Sequence, residues 1–116
     1  MKESVTIQII GTRKDAATRK ALRFFNERGI KPHLLDLSER ALKAGELENI
    51  TRRIPAMELI DEESQTYRKG GYAFLDFEPI EELLEHPLLM KMPVVRCGKE
   101  VSLGESPEDW ERWIGK

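Results

Sequence analysis

The stretch IIGTRKDAATRKALRFF, residues 9–25, decides how the rest of this 116-residue chain is read. It starts in an apolar run that ends at Gly11, crosses a short polar loop and enters an amphipathic helix at about Ala16. A strand that hands over to a helix N-terminus leaves unpaired backbone N–H groups at the junction. Such a junction can cradle an anion or lower the pKa of a nucleophile. The residue at the helix start is Asp15, a good N-cap type.

Outward from this stretch, VTIQII (5–10) alternates and is rich in β-branched residues, which predicts a strand. From Ala16 to Arg28, Ala17, Ala21, Leu22, Phe24 and Phe25 recur at helical spacing, and Gly29 follows as a C′ stop. KPHLLDL (31–37) predicts a second strand, parallel to the first through a right-handed crossover.

Residues 38–90 carry helical patterns broken by Gly45, Pro55, Gly70, Gly71, Pro79 and Pro87. Leu42, Leu47 and Ile50 suggest one or two short helices, and a helical turn is expected around Tyr67. Ile80, Leu83 and Leu84 share one face of another helix, with Pro79 in its first turn. Apolar residues continue throughout, so this is a helical insertion rather than a linker, and Tyr67, Tyr72, Phe74 and Phe77 are expected to anchor it. MPVVRCGKEVSL (92–103) then predicts two strands joined by a tight turn at Cys97–Gly98. In SPEDWERWI, Ser106 as N-cap, Pro107 at N1 and Asp109 at N3 resemble a capping box. Trp110, Trp113 and Ile114 would pack that last helix on the sheet.

The order β-α-β, helical insertion, β-β-α describes one α/β domain over 1–116. Its two halves cover about 1–37 and 91–116, and the insertion covers about 38–90. The net charge of −2, with Lys and Arg outnumbered 19 to 21 and scattered, argues against direct nucleic-acid binding. A single cysteine, Cys97, excludes an internal disulfide, a cysteine-pair redox motif and a cysteine-rich zinc site. No apolar run approaches the ~18–20 residues that span a bilayer. The N-terminus MKESVTIQII lacks the apolar core of a secretory signal, so a cytoplasmic protein away from membranes is expected.

Several strings, in order, resemble the arsenate reductase/Spx-type (ArsC) family, which is related to glutaredoxin. IIGTRKDAATRKA is similar to the family's opening, in which a Gly precedes the catalytic loop. LDLSERALKAGEL, TYRKGG, LLEHPLLMKMPVV and RCGKEVSLG resemble later segments. The resemblance implies a thioredoxin-like mixed four-stranded sheet and a cis-proline at Pro93. It also implies that a catalytic Cys belongs at the first helix start, where this chain has Asp15. Of the family's oxyanion-binding arginines, one would immediately precede the cis-proline, where Met92 stands. Another would lie near the start of LIDEESQTY, where Asp61 stands, and a third near LGES, which has none.

A carboxylate at position 15 shares the helix-terminal field that favours a thiolate, but it cannot exchange disulfides. The expectation is therefore a redox-inactive binding or regulatory module with no catalytic residue and no cofactor. Its candidate ligand-binding residues are Thr12, Arg13, Lys14, Asp15, Met92 and Pro93. Regulators of the family it resembles bind RNA polymerase, so the resemblance implies a protein partner by analogy, and homodimer formation is a further option. The alternative is an arsenate reductase-like oxidoreductase that uses Cys97, glutathione or another external thiol. Cys97 itself reads as a turn cysteine in a slot commonly given to Asn or Asp. Arg13 and Lys14 read as a solvated basic loop, and Asp61, Glu62 and Glu63 as a solvated acidic one. His33 and His86 have no partner at metal-ligand spacing, so no metal site is expected.

Overall fold

A computed structural model describes residues 5–115, so positions 1–4 and 116 of the expected domain lie outside the described residues. The helices are α1 (Ala16–Glu27), α2 (Ala44–Thr51), α3 (Gln65–Lys69), α4 (Pro79–Glu85) and α5 (Pro107–Ile114). The strands are β1 (Ile7–Gly11), β2 (His33–Asp36), β3 (Val94–Cys97) and β4 (Glu100–Leu103). Three short 3₁₀ turns, Ala56–Leu59, Tyr72–Phe74 and Pro87–Leu89, fill the insertion. Contacts divide the chain into two units: one runs up to Asp36 and resumes at Met92, the other is Leu37–Lys91.

The first unit holds one four-stranded sheet in the order β2-β1-β3-β4. β1 pairs with β2 in parallel, and β1–β3 and β3–β4 are antiparallel. With the chain order β-α-β, insertion, β-β-α, this mixed sheet is the thioredoxin-like fold. Because successive strand residues face opposite sides, Ile7, Ile9 and Val95 share one face. On it they form a core with Ala21 and Phe25 of α1 and Trp110 of α5. Burying each large apolar side chain there contributes about 1.5–3 kcal/mol. The Trp110 indole donates its N–H to Ser102 Oγ at 3.0 Å, which satisfies both buried groups. α1 ends as its sequence predicts: Gly29 takes φ +77° and the Ile30 N–H reaches back to the Phe25 carbonyl at 2.9 Å.

Two sequence expectations for this unit need correction. The β3–β4 turn is Gly98–Lys99, not Cys97–Gly98. Cys97 is the last residue of β3, paired with Glu100. Gly98, at φ +60°, fills the first central position, where a type II′ turn takes glycine. Ser106 precedes α5 but makes no capping bond. Its hydroxyl instead donates backwards to the Leu103 carbonyl at 3.4 Å, while Asp109 pairs with Arg112 at 2.7 Å.

In the second unit Leu47 and Ile50 of α2 are buried, as are Leu59, Ile60, Leu83, Leu89 and Met90. Leu42 is also buried but precedes the helix. A bridge between Ile60 and Met90 ties the middle of this unit to its C-terminal end, with Asp61 N–H to the Leu89 carbonyl and Lys91 N–H to the Leu59 carbonyl, each 2.7 Å. α3 forms around Tyr67, and Pro79 opens α4. Ile80 departs from expectation: Leu83 is buried and Leu84 half-buried, but Ile80 turns outward. Of the four aromatic anchors, Tyr67 stacks on Tyr72 (5.6 Å between centroids) and Phe77 meets Tyr72 edge-on (5.0 Å). Phe74 does not anchor anything; it is 92% exposed. Among the described residues no helix is long and apolar enough to cross a membrane.

Candidate functional site

The junction in the first unit is built on Gly11, the last residue of β1, which pairs with Asp36 of β2. A Cβ at Gly11 would collide with the Thr18 hydroxyl, so only glycine lets the first turn of α1 settle on the strand end. Thr18 is accordingly fully buried. The chain then turns through Thr12, whose carbonyl accepts from the Asp15 N–H at 3.1 Å.

Asp15 caps α1. Its Oδ2 accepts the Thr18 N–H at 2.8 Å and the Thr18 hydroxyl at 2.9 Å. One carboxylate oxygen thus takes up a backbone donor that would otherwise be open to an anion, and its charge complements the positive end of the helix. Arg19, one turn on, donates to the carbonyls of Arg13 (3.0 Å) and Lys14 (2.7 Å), which fastens the loop from its outer side.

Arg13 is not merely solvated, as its sequence context suggested. Its guanidinium lies 3.1 Å from Asp36 Oδ2, and its backbone N–H reaches the same oxygen at 3.4 Å. Asp36 is only 7% exposed, so this pair places a buried carboxylate beside the loop. Sequence reasoning passed over Asp36. The available signal was a carboxylate at the C-terminal end of an apolar strand in HLLDL, the end of a sheet where ligand sites gather.

The Met92–Pro93 peptide bond is cis. Val94 pairs with Ile10, so Pro93 lies level with Gly11 at the sheet end from which the loop departs. Pro93 is buried and its carbonyl accepts from the Gly104 N–H at 2.8 Å, while Met92 is half-buried. Gly11, Thr12, Arg13, Lys14, Asp15, Met92 and Pro93 therefore share one end of the sheet. A methionine thioether beside the cis bond offers no charge to an oxyanion.

Cys97 sits elsewhere. It pairs with Ile7, four positions before Gly11 on β1, roughly 13 Å along the strand. Its side chain packs against the core, and burial, followed by the neighbouring Glu100, pushes the thiol above its ordinary value.

Outside this junction, His33 is exposed on β2. His86 has carboxylate neighbours that sequence reading did not give it: its Nε2 is 4.0 Å from both Glu82 and Glu85. The three are grouped closely enough to meet one ion, on an exposed helix end where such groups are common without one. Asp61 is a turn-former rather than a ligand. Its Oδ1 accepts the Glu63 N–H at 3.0 Å, and its carbonyl accepts from the Ser64 hydroxyl at 2.8 Å, leading into the Ser64 cap of α3.

A sequence model described as the ArsC family matches residues 11–113. None of the curated proteins matches the chain. Among solved structures, an arsenate reductase from Vibrio cholerae superposes with TM-score 0.82 at 18% identity, covering 97% of this chain and 100% of that one. An arsenate reductase-related protein from Brucella melitensis gives TM-score 0.71 at 22% identity, covering 100% of both. An ArsC family-related protein from Bacteroides fragilis gives 0.79 at 18%, covering 96% and 99%. At these identities the structural likeness speaks for the fold.

Proposed function

Because the chain belongs to the ArsC family and yet carries a carboxylate at the start of its first helix, we propose that it is a redox-inactive member of that family. In this reading it acts in the cytoplasm as a binding or regulatory module that engages a protein rather than nucleic acid or membrane. The observation that carries the reading is the commitment of Asp15: its Oδ2 is held by both the N–H and the hydroxyl of Thr18. A capped carboxylate is neither a nucleophile toward arsenate nor a partner in disulfide exchange. It also occupies the helix-start donor that an incoming oxyanion needs. Met92 supplies no guanidinium beside the cis bond, and Arg13 is directed to Asp36. The one thiol, Cys97, is distant from this junction and is pushed toward its protonated form. This works against the alternative of a thiol-dependent reductase.

The test is a turnover assay of the purified chain with arsenate and with a model disulfide, in the presence of glutathione and a coupled reductase. No turnover is expected; turnover of either substrate overturns the reading. An NMR titration with glutathione and arsenate adds a second readout. Shifts clustered at residues 12–16 and 92–94 would favour the reductase alternative. In parallel, Asp15→Cys is expected to create a thiol that alkylates with a half-reaction pH below the ordinary ~8.5, because the helix field acts on it.

A further inference from the structure

Segment 73–81 of the second unit faces mostly outward. Tyr72 and Glu82 bracket it and are joined by a hydrogen bond from the Tyr72 hydroxyl to Glu82 Oε1 at 2.7 Å, and Phe77 within it is pinned edge-on to Tyr72. Gly71, at φ +69°, sets the chain direction into the turn Tyr72–Phe74. With both ends held, the residues between them are presented to solvent. Phe74 is 92% exposed, Leu75 55% and Ile80 43%. An almost fully exposed phenylalanine next to an exposed leucine, on a braced turn, is what an interaction site looks like before its partner arrives.

The charge of the segment selects the partner. Asp76, Glu78, Glu81, Glu82 and Glu85 punctuate residues 70–85, and no Lys or Arg falls among them. Among the described residues Asp76, Glu78 and Glu81 make no ion pair. Acids without compensation around exposed apolar side chains repel nucleic acid and anionic membranes, and they attract a surface in which Lys or Arg flanks apolar groups.

We propose that segment 73–81, with Phe74 and Leu75 as apolar anchors and Asp76, Glu78 and Glu81 as the acidic rim, docks a basic amphipathic segment of a protein partner. This deepens the binding-module reading and rests on it. Phe74 and Leu75 fill the apolar side of the partner segment, and the rim sets its orientation and speeds its approach.

The probe is a synthetic helix-forming peptide with Leu along one face and Lys along the other, titrated into ¹⁵N-labelled full chain. A Glu-for-Lys version of the peptide serves as the charge control. Chemical-shift changes are expected to centre on residues 73–85 for the Lys peptide, to weaken steadily with added salt, and to be absent for the Glu peptide. Phe74→Ser is expected to weaken binding at least tenfold with the rest of the spectrum unchanged. Should that variant unfold, the double change Asp76→Lys, Glu78→Lys keeps the test open, since it should lose the Lys peptide and gain the Glu peptide.

Equal binding of both peptides, shifts centred elsewhere, binding to phosphatidylglycerol vesicles in place of peptide, or a dimer in solution that Phe74→Ser dissolves would each overturn the proposal. Turnover of arsenate or disulfide with peptide binding intact would overturn the functional reading alone. No turnover combined with no peptide binding would overturn the docking surface alone.

Discussion

Asp15 spends one carboxylate oxygen on two donors of Thr18, and that arrangement depends on the missing side chain of Gly11. Asp15→Ala removes a charged cap acceptor and leaves the buried Thr18 hydroxyl without it, so a loss of about 1–2 kcal/mol is expected in chemical denaturation. Asp15→Asn keeps an acceptor and should lose less. Gly11→Ala drives a methyl into the Thr18 hydroxyl, and an overpacking loss of about 1–3 kcal/mol should appear in the same experiment. Asp15 was legible in the sequence because the residue type, the preceding loop and the following periodicity all point to a helix start. Asp36 was legible only as a carboxylate at the end of an apolar strand, and its burial was not, since that comes from the pairing of Gly11 with Asp36 and from the Arg13 ion pair. Neither relation has a local signature. Cys97 shows how fine the margin can be: one residue of turn register moves it from a solvated tip to a strand end against the core.

α5 shows what periodicity can and cannot predict at the scale of an element. The i, i+3, i+4 spacing of Trp110, Trp113 and Ile114 gave its apolar face correctly, and all three reach the core. Trp110→Phe keeps most of that packing but removes the indole donor from Ser102, whose side chain is buried. The expected cost is about 2 kcal/mol, read as a lowered thermal midpoint, and a Ser102→Ala change made on top should restore part of it. The N-terminus of the same helix was misread, because Ser106 has the right type for a cap but its hydroxyl points back to Leu103. In α4 the stripe fails at Ile80, and in the preceding turn it fails at Phe74. The physical reason is visible in the ring contacts: Tyr72 satisfies itself with Tyr67, Phe77 and Glu82, so the core of that segment is complete without Phe74. Hydropathy reports that a side chain prefers burial. It does not report that the available places are already filled.

For the molecule as a whole, Tyr72 and Glu46 among the described residues carry large shifts that shape the pH dependence of stability, and Cys97, raised by burial, adds to the alkaline side. Tyr72 is pushed up to about 12 by burial and by Glu82, from an ordinary 10.0. A raised pKa means the folded state holds the proton more tightly, so its contribution is complete below about pH 10 and is lost as pH rises toward 12. Glu46 is pulled down to about 2, mainly by its hydrogen bond with Arg40, from an ordinary 4.5. Its contribution is present above about pH 4.5 and fades as pH falls toward 2. Because that pair is partly exposed, water screens it and the acid effect should be the smaller one. Unfolding free energy measured across pH should therefore fall at both limbs. Tyr72→Phe should flatten the alkaline limb and Glu46→Gln the acid one. The order of elements was legible at this scale because strand and helix periods alternate cleanly along the chain. The cis bond at Pro93 was expected from family resemblance rather than from the local residues. The two outermost strands of the sheet, β2 and β4, are each four residues long. At the first residue of β4, Arg112 and Trp113 both donate to the Glu100 carboxylate. A strand so short offers an incoming chain only one or two free backbone repeats, too few to hold an added strand. The sheet is thus guarded against edge-to-edge aggregation.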